Sequence, residues 1–160
     1  MNSGQGFDRL AKSFERHLKA ENKAPRTVQT YGEAVAQLVA FLQEIGVTDA
    51  RLMEKQHIET FMVRLLHRCS AATAHNRYRA LQQLTKWLTA EGFIPADPMI
   101  GMRPPMVPEQ PLPLVSEADL RALLKTCTGR SFNDRRDDAM IRILVDSGLR
   151  RAELLDSPRV

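Results

Sequence analysis

Apolar residues return every three or four positions in four successive stretches of the chain. Phe7, Leu10, Phe14 and Leu18 do so with Arg9, Lys12, Arg16 and Lys19 on the other side, which predicts an amphipathic helix over about 7–21. After a short break at 22–24, Pro25 suits the first turn of a second helix, where its missing N–H costs no bond. Val28, Tyr31, Val35, Leu38, Leu42 and Ile45 form the stripe of that helix, and Gly46 is placed to end it in the left-handed conformation. A third, shorter helix is expected over 54–68, with Ile58, Phe61, Met62, Leu65 and Leu66 facing inward. Ser70 can cap a fourth by accepting an orphan N–H of its first turn, and that helix carries Tyr78, Leu81, Leu84 and Leu88 before ending near Gly92. Four amphipathic helices with short connections and no strand pattern predict an all-α, compact helical domain over about 6–95.

The pattern breaks at Ala96. Pro98, Pro104, Pro105, Pro108, Pro111 and Pro113 exclude a continuous helix and predict an extended, fairly stiff connector over 96–113, the one clear domain boundary. Beyond it Ser116 can cap a helix to about Cys127, with Glu117 and Asp119 in its first turn and Leu120, Leu123 and Leu124 on its apolar side. A further helix is expected over about 134–147, with Met140, Ile143 and Leu144 as its stripe and Gly148 just past its end. The stretch RRAELLDSPRV then opens another turn or helix. Residues 114–160 are a poor basis for an independent domain, because Leu123, Leu124, Ile143, Leu144 and Leu154 need more chain to cover them. Either a larger domain has been cut short here, or these helices pack on each other and remain marginal.

Charge sharpens this picture. Up to Pro95, 13 Lys and Arg stand against 9 Asp and Glu, and from Ala96 onward 10 stand against 10, so the helical domain carries the whole excess. Within it, residues 70–90 hold His75, Arg77, Arg79 and Lys86 with no acidic residue, a one-signed helix suited to phosphate. Cys69 and Cys127 are too few for a disulfide framework and are expected as reduced, partly buried thiols. His17, His57, His67 and His75 make no compact metal spacing with either cysteine, so neither a metal nor a cofactor is expected. No apolar stretch reaches the length of a membrane span and the N-terminus lacks a signal core, which leads us to expect a cytoplasmic protein without a membrane partner.

Three stretches resemble the tyrosine recombinase, or phage integrase, family: APRTVQTYGEAVAQLVAFL (24–42), SAATAHNRYRALQQLTKWLTAEGFIPADP (70–98) and DDAMIRILVDSGLRRAELLDS (137–157). Their order and spacing, with the proline-rich connector between the second and third, carry more weight than any one alone. Ala24 stands where the family often has a serine cap, and Asp97 where it usually has Asn. The resemblance implies a four-helix SAM-like core-binding domain, then the first helices of a truncated recombinase catalytic domain. It implies duplex DNA as partner, held by the second and fourth helices.

On those helices the candidate DNA-binding residues are Arg26, Thr27 and Thr30 at the start of one, and Thr73, His75, Asn76, Arg77, Arg79 and Lys86 on the other. Helix N-termini favour phosphate. Asn76 and Arg77 have chemistry suited to base edges, and Thr73 and Lys86 to phosphates. The family's reaction, as the resemblance implies it, is metal-free phosphoryl transfer to a tyrosine, with arginines neutralising the phosphate. In SGLRRAEL, Arg150 corresponds to the first of those arginines, and Glu153 would orient it or serve the helix alone. The family's later elements, including its tyrosine, have no counterpart in the sequence, and Tyr31 and Tyr78 lie in the apolar patterns of the first domain. The expected function is therefore duplex-DNA binding without strand transfer by these residues alone. The alternatives are a fragment that modulates a full-length recombinase through protein contact, or a nonfunctional remnant.

Overall fold

The computed structural model describes residues 6–109, 111 and 114–155, together seven α-helices and one 3-10 helix with no strand among the described residues. The chain divides into two compact units, Met1–Glu109 and Gln110–Val160.

The first unit contains α1 (Phe7–Ala20), α2 (Pro25–Glu44), a 3-10 turn (Ala50–Leu52), α3 (Lys55–Leu66) and α4 (Ala71–Ala90). The apolar stripes meet in one core, where Phe14, Leu18, Val35, Leu38, Leu42, Ile58, Leu81 and Leu88 are all buried. Each fully buried leucine or isoleucine of that set contributes about 1.5–3 kcal/mol of transfer free energy. Trp87 lies between Phe14 and Phe93, with ring centroids 5.4 Å from each, and so ties α1 and α4 to the chain leaving the bundle.

Three of the four helices stop by the same device. The N–H groups of Asn22 and Lys23, of Gly46 and Val47, and of Gly92 and Phe93 reach back to the last carbonyls of their helices. This needs a left-handed residue just past the end. Gly46 (φ 81°) and Gly92 (φ 72°) supply it without steric cost, and Asn22 (φ 56°) does so with a side chain that tolerates the region. The 3-10 turn, capped by Asp49 accepting from the Arg51 N–H at 2.9 Å, is an element that three residues of sequence do not announce.

In its first part the proline-rich segment makes turns and packs on the bundle. Asp97 accepts from the Met99 N–H at 2.8 Å, and the N–H groups of Ile100 and Met102 close turns onto Asp97 and Met99. Met99 and Ile94 are buried in the bundle core. Tyr78 donates its hydroxyl to the Met102 carbonyl at 2.8 Å, and His75 Nδ1 stands 3.1 Å from the Pro105 carbonyl. A carbonyl only accepts, so Nδ1 carries the proton there. The prolines exclude helix, but apolar Ile94 and Met99 supply a reason to pack.

In the second unit α5 (Glu117–Lys125) is capped by Ser116, which accepts from the Asp119 N–H at 3.1 Å. α6 (Phe132–Ser147) starts two residues before the expected position, because Ser131 and Asp134 form a reciprocal capping box. Gly148 (φ 66°) ends it, and α7 spans Arg151–Leu155. No described residue of this unit is buried, and Leu123, Phe132, Ile143, Val145 and Leu149 are exposed. The Arg151 side chain, residues 112–113 of the connector and the sequence from Asp156 onward lie outside the described residues.

Candidate nucleic-acid interface

The first turns of α2 carry no carboxylate, and neither do those of α4. Ala24 cannot cap with its side chain, so α2 begins on backbone alone, with Pro25 filling the N1 position. α4 begins on Ser70, whose hydroxyl accepts from the Thr73 N–H at 3.3 Å and meets the Thr73 hydroxyl at 3.0 Å. The two helices pack against each other, with Val35, Leu38, Ala74, Tyr78 and Leu81 in the shared core, and a shallow groove opens at their polar edges.

That groove, about 360 Å³, is lined by Arg26, Thr27, Thr30, Tyr31, Asn76 and Arg79. Five of the nine residues expected on a DNA-binding face thus lie together, and no carboxylate lines the walls. Asn76 and Arg79 are exposed and have no hydrogen-bond or ion-pair partner among the described residues. Lys86 lies two turns further along the same exposed stripe of α4, which runs Asn76, Arg79, Gln83, Lys86. The Thr30 hydroxyl donates to the Arg26 carbonyl at 2.8 Å.

The remaining three are placed differently. Thr73 lines a second groove of about 490 Å³ with Arg64, Arg68 and Arg77, where Arg64 pairs with Glu44 at 2.8 Å and lies 5.7 Å over the Phe41 ring. His75 is half-buried and turned toward Pro105. Arg77 is committed inside the bundle: it donates to the Thr30 carbonyl at 2.9 Å and to Glu33 at 3.1 Å, and its side chain is only 15% exposed. Its guanidinium fork bridges α4 to α2.

Sequence reasoning did not single out Gln29, Glu33 or Arg68. Gln29 and Glu33 are one and two turns beyond Arg26 on the same helix edge, so the spacing was present, but their partner Arg77 is remote in sequence. Tyr31, expected as part of the apolar stripe, is half-buried and lends one edge to the groove. Tyr78 is buried, and burial first, with the Asp97 charge second, raises its phenol above the ordinary tyrosine range.

In the second unit, Glu153 accepts from the Arg150 N–H at 2.8 Å and from its guanidinium at 3.1 Å. Glu153 thereby caps α7 and orients the arginine at once. The Arg150 side chain is 85% exposed, so the pair is worth little as stability and leaves the cation open to an anion. None of the described helices is long and apolar enough to cross a membrane.

Residues 10–92, just over half of the chain, match the family described as "Phage integrase, N-terminal SAM-like domain". The tyrosine recombinase XerC of Pseudomonas syringae pv. syringae is 29% identical over 151 residues, covering 92% of this chain and 50% of that protein. XerC of Pseudomonas putida is 30% identical over 150 residues, covering 91% of this chain and again 50% of the relative. The structure of an integrase from mycobacterium phage Brujita matches with a TM-score of 0.54 at 25% identity, over 91% of this chain and 47% of that one. The chain spans about half the length of the curated relatives it matches. The all-helical bundle, the extent of the family match and these relatives agree, and the chain belongs to the tyrosine recombinase (phage integrase) family, with residues 10–92 as its N-terminal SAM-like domain.

Proposed function

We propose that the chain binds duplex DNA through the α2/α4 groove. The observation that carries this reading is the meeting of Arg26, Thr27, Thr30, Asn76 and Arg79 around one groove with no carboxylate on its walls. Arg79 and Lys86 neutralise phosphates, the threonines add hydroxyl contacts, and Arg26 and Asn76 face base edges. Thr73 extends the phosphate track toward Arg68. His75 and Arg77 support the face from within, one holding the exit segment and the other the α2–α4 pair. The partner is double-stranded DNA, met in the cytoplasm.

Arg150, oriented by Glu153, is read as the first arginine of a recombinase site that these 160 residues do not complete. Tyr78 is buried and Tyr31 belongs to the α2 stripe, so neither serves as nucleophile, and the chain by itself forms no covalent adduct with DNA. Titrating a short duplex into isotope-labelled protein tests the interface. Amide shifts confined to 26–31, 68–79 and the turn around Lys86 are expected; shifts elsewhere on the bundle, or none, would overturn the assignment. An SDS-stable protein–DNA species would overturn the claim of inactivity.

A second reading rests on the exposed Leu123, Phe132, Ile143 and Val145 of the second unit. Apolar faces of this kind fit a protein partner, and a full-length recombinase is the partner the family suggests. Co-sedimentation with such a recombinase in the absence of DNA would support it.

A further inference from the structure

Three side chains are joined in one direction along the exposed edge of α2, and a fourth reaches the same carboxylate from α4. Arg26 Nη1 donates to Gln29 Oε1 at 3.1 Å, and Gln29 Nε2 donates to Glu33 Oε1 at 3.2 Å. From α4, Arg77 Nη2 donates to Glu33 Oε2 at 3.1 Å. A guanidinium only donates and a carboxylate only accepts, so the Gln29 amide has a single orientation that satisfies both neighbours. Glu33 therefore sets the polarity of the row.

Resting on the reading of this face as a duplex interface, we propose that Glu33 is a specificity-determining positioning residue that, through Gln29, holds the Arg26 guanidinium in one orientation at the groove wall. A carboxylate beside a phosphate-binding groove costs affinity by repulsion. Here Arg77 offsets that charge, being only 15% exposed and anchored by its other nitrogen to the Thr30 carbonyl. What the arrangement supplies is direction. Arginine discriminates bases only when its fork is aimed, by two parallel hydrogen bonds to a guanine edge; an untethered arginine contributes charge without sequence.

Glu33→Gln separates these roles because it keeps the shape. The new amide leaves its oxygen with Arg77 and turns its NH₂ toward Gln29. Gln29 must then rotate and present its own NH₂ to Arg26, so two donors face each other and Arg26 is released. The exchange Gln29→Glu with Glu33→Gln restores an acceptor beside Arg26 at unchanged net charge.

The experiment selects duplexes from a random-sequence pool with the full chain, then compares affinity for the selected duplex and a scrambled one at fixed salt. Glu33→Gln is expected to lower that ratio about tenfold, the scale of one aimed base contact, without weakening binding to the scrambled duplex. The exchanged pair is expected to recover most of the ratio, and the Arg26 guanidinium nitrogen resonances should follow the same order. Glu59→Gln, which removes an equal charge from the exposed pair with Lys55 on α3, should leave the ratio as it is. An unchanged ratio in Glu33→Gln, or an equal loss in the exchanged pair, overturns the inference while leaving DNA binding intact. Absence of binding to any duplex removes both.

Discussion

Arg77→Ala should destabilise the first unit by about 2 kcal/mol, and this expectation follows from where the guanidinium lies. Its two contacts are charge-assisted, at 2.9 Å to the Thr30 carbonyl and 3.1 Å to Glu33. Hydrogen bonds to charged groups contribute about 1.5–3 kcal/mol when desolvated. Glu33 is 48% exposed, so its share lies at the low end after solvent screening, and water can replace the lost partner. The Thr30 carbonyl lies within α2 and keeps the bond of its own helix, so it is not orphaned. Loss of the buried aliphatic stem adds to the cost. For a unit of this size, 1 kcal/mol shifts the midpoint of thermal unfolding by about 4–8 °C, so a fall of about 10 °C is expected. Urea titration followed by circular dichroism measures the free energy directly. Arg79→Ala, at an exposed position, should remain within about 0.5 kcal/mol of the parent. Equal stability of Arg77→Ala and the parent, or equal loss in both variants, would refute the assignment of Arg77 as the inter-helix tie.

Other expectations concern the exit segment, one helix end and the second unit. Tyr78→Phe should cost about 1 kcal/mol through the Met102 carbonyl bond. Because the folded phenol titrates above its unfolded value, the native state holds that proton more tightly. Stability from this group is full below the ordinary tyrosine range and lost as pH rises through the folded value, so Tyr78→Phe should flatten the alkaline limb of a stability–pH profile. Gly92→Ala meets open space but a φ of 72°, so a loss of about 1 kcal/mol from backbone strain alone is expected, with Gly92→Asn recovering part of it in the same urea titration. Amide hydrogen exchange should be much faster in α5 and α6 than in α2 and α4, since no described residue of the second unit is buried.

Much of the bundle was legible because its core is written in periodic leucines and aromatics. The stripes Phe7 to Leu18 and Val28 to Leu42 are buried almost as spaced, and Ser70, Ser116, Gly46 and Gly148 mark their helix ends by local chemistry. The start of α6 was also local, since Ser131 and Asp134 form a box that the sequence displays, but the later apolar residues drew the boundary inward. What composition could not convey is which polar side chains are committed across the fold. Arg77 and Arg79 are alike on paper and two residues apart, yet one points at α2 and the other at solvent, because successive helix positions diverge by about 100°. His75 and Tyr78 likewise gain their partners from a segment whose prolines announce only what it is not.

The claim that the α2/α4 groove is a duplex interface is tested most directly by the salt dependence of binding. Affinity of the chain for a short fluorescent duplex should fall linearly with the logarithm of salt concentration, with a slope of about 0.9 per phosphate neutralised. Arg79→Ala and Lys86→Ala should each lower the magnitude of that slope by about one unit at unchanged stability. Binding insensitive to salt, slopes unchanged in both variants, or no binding by the folded chain at low salt would contradict the account.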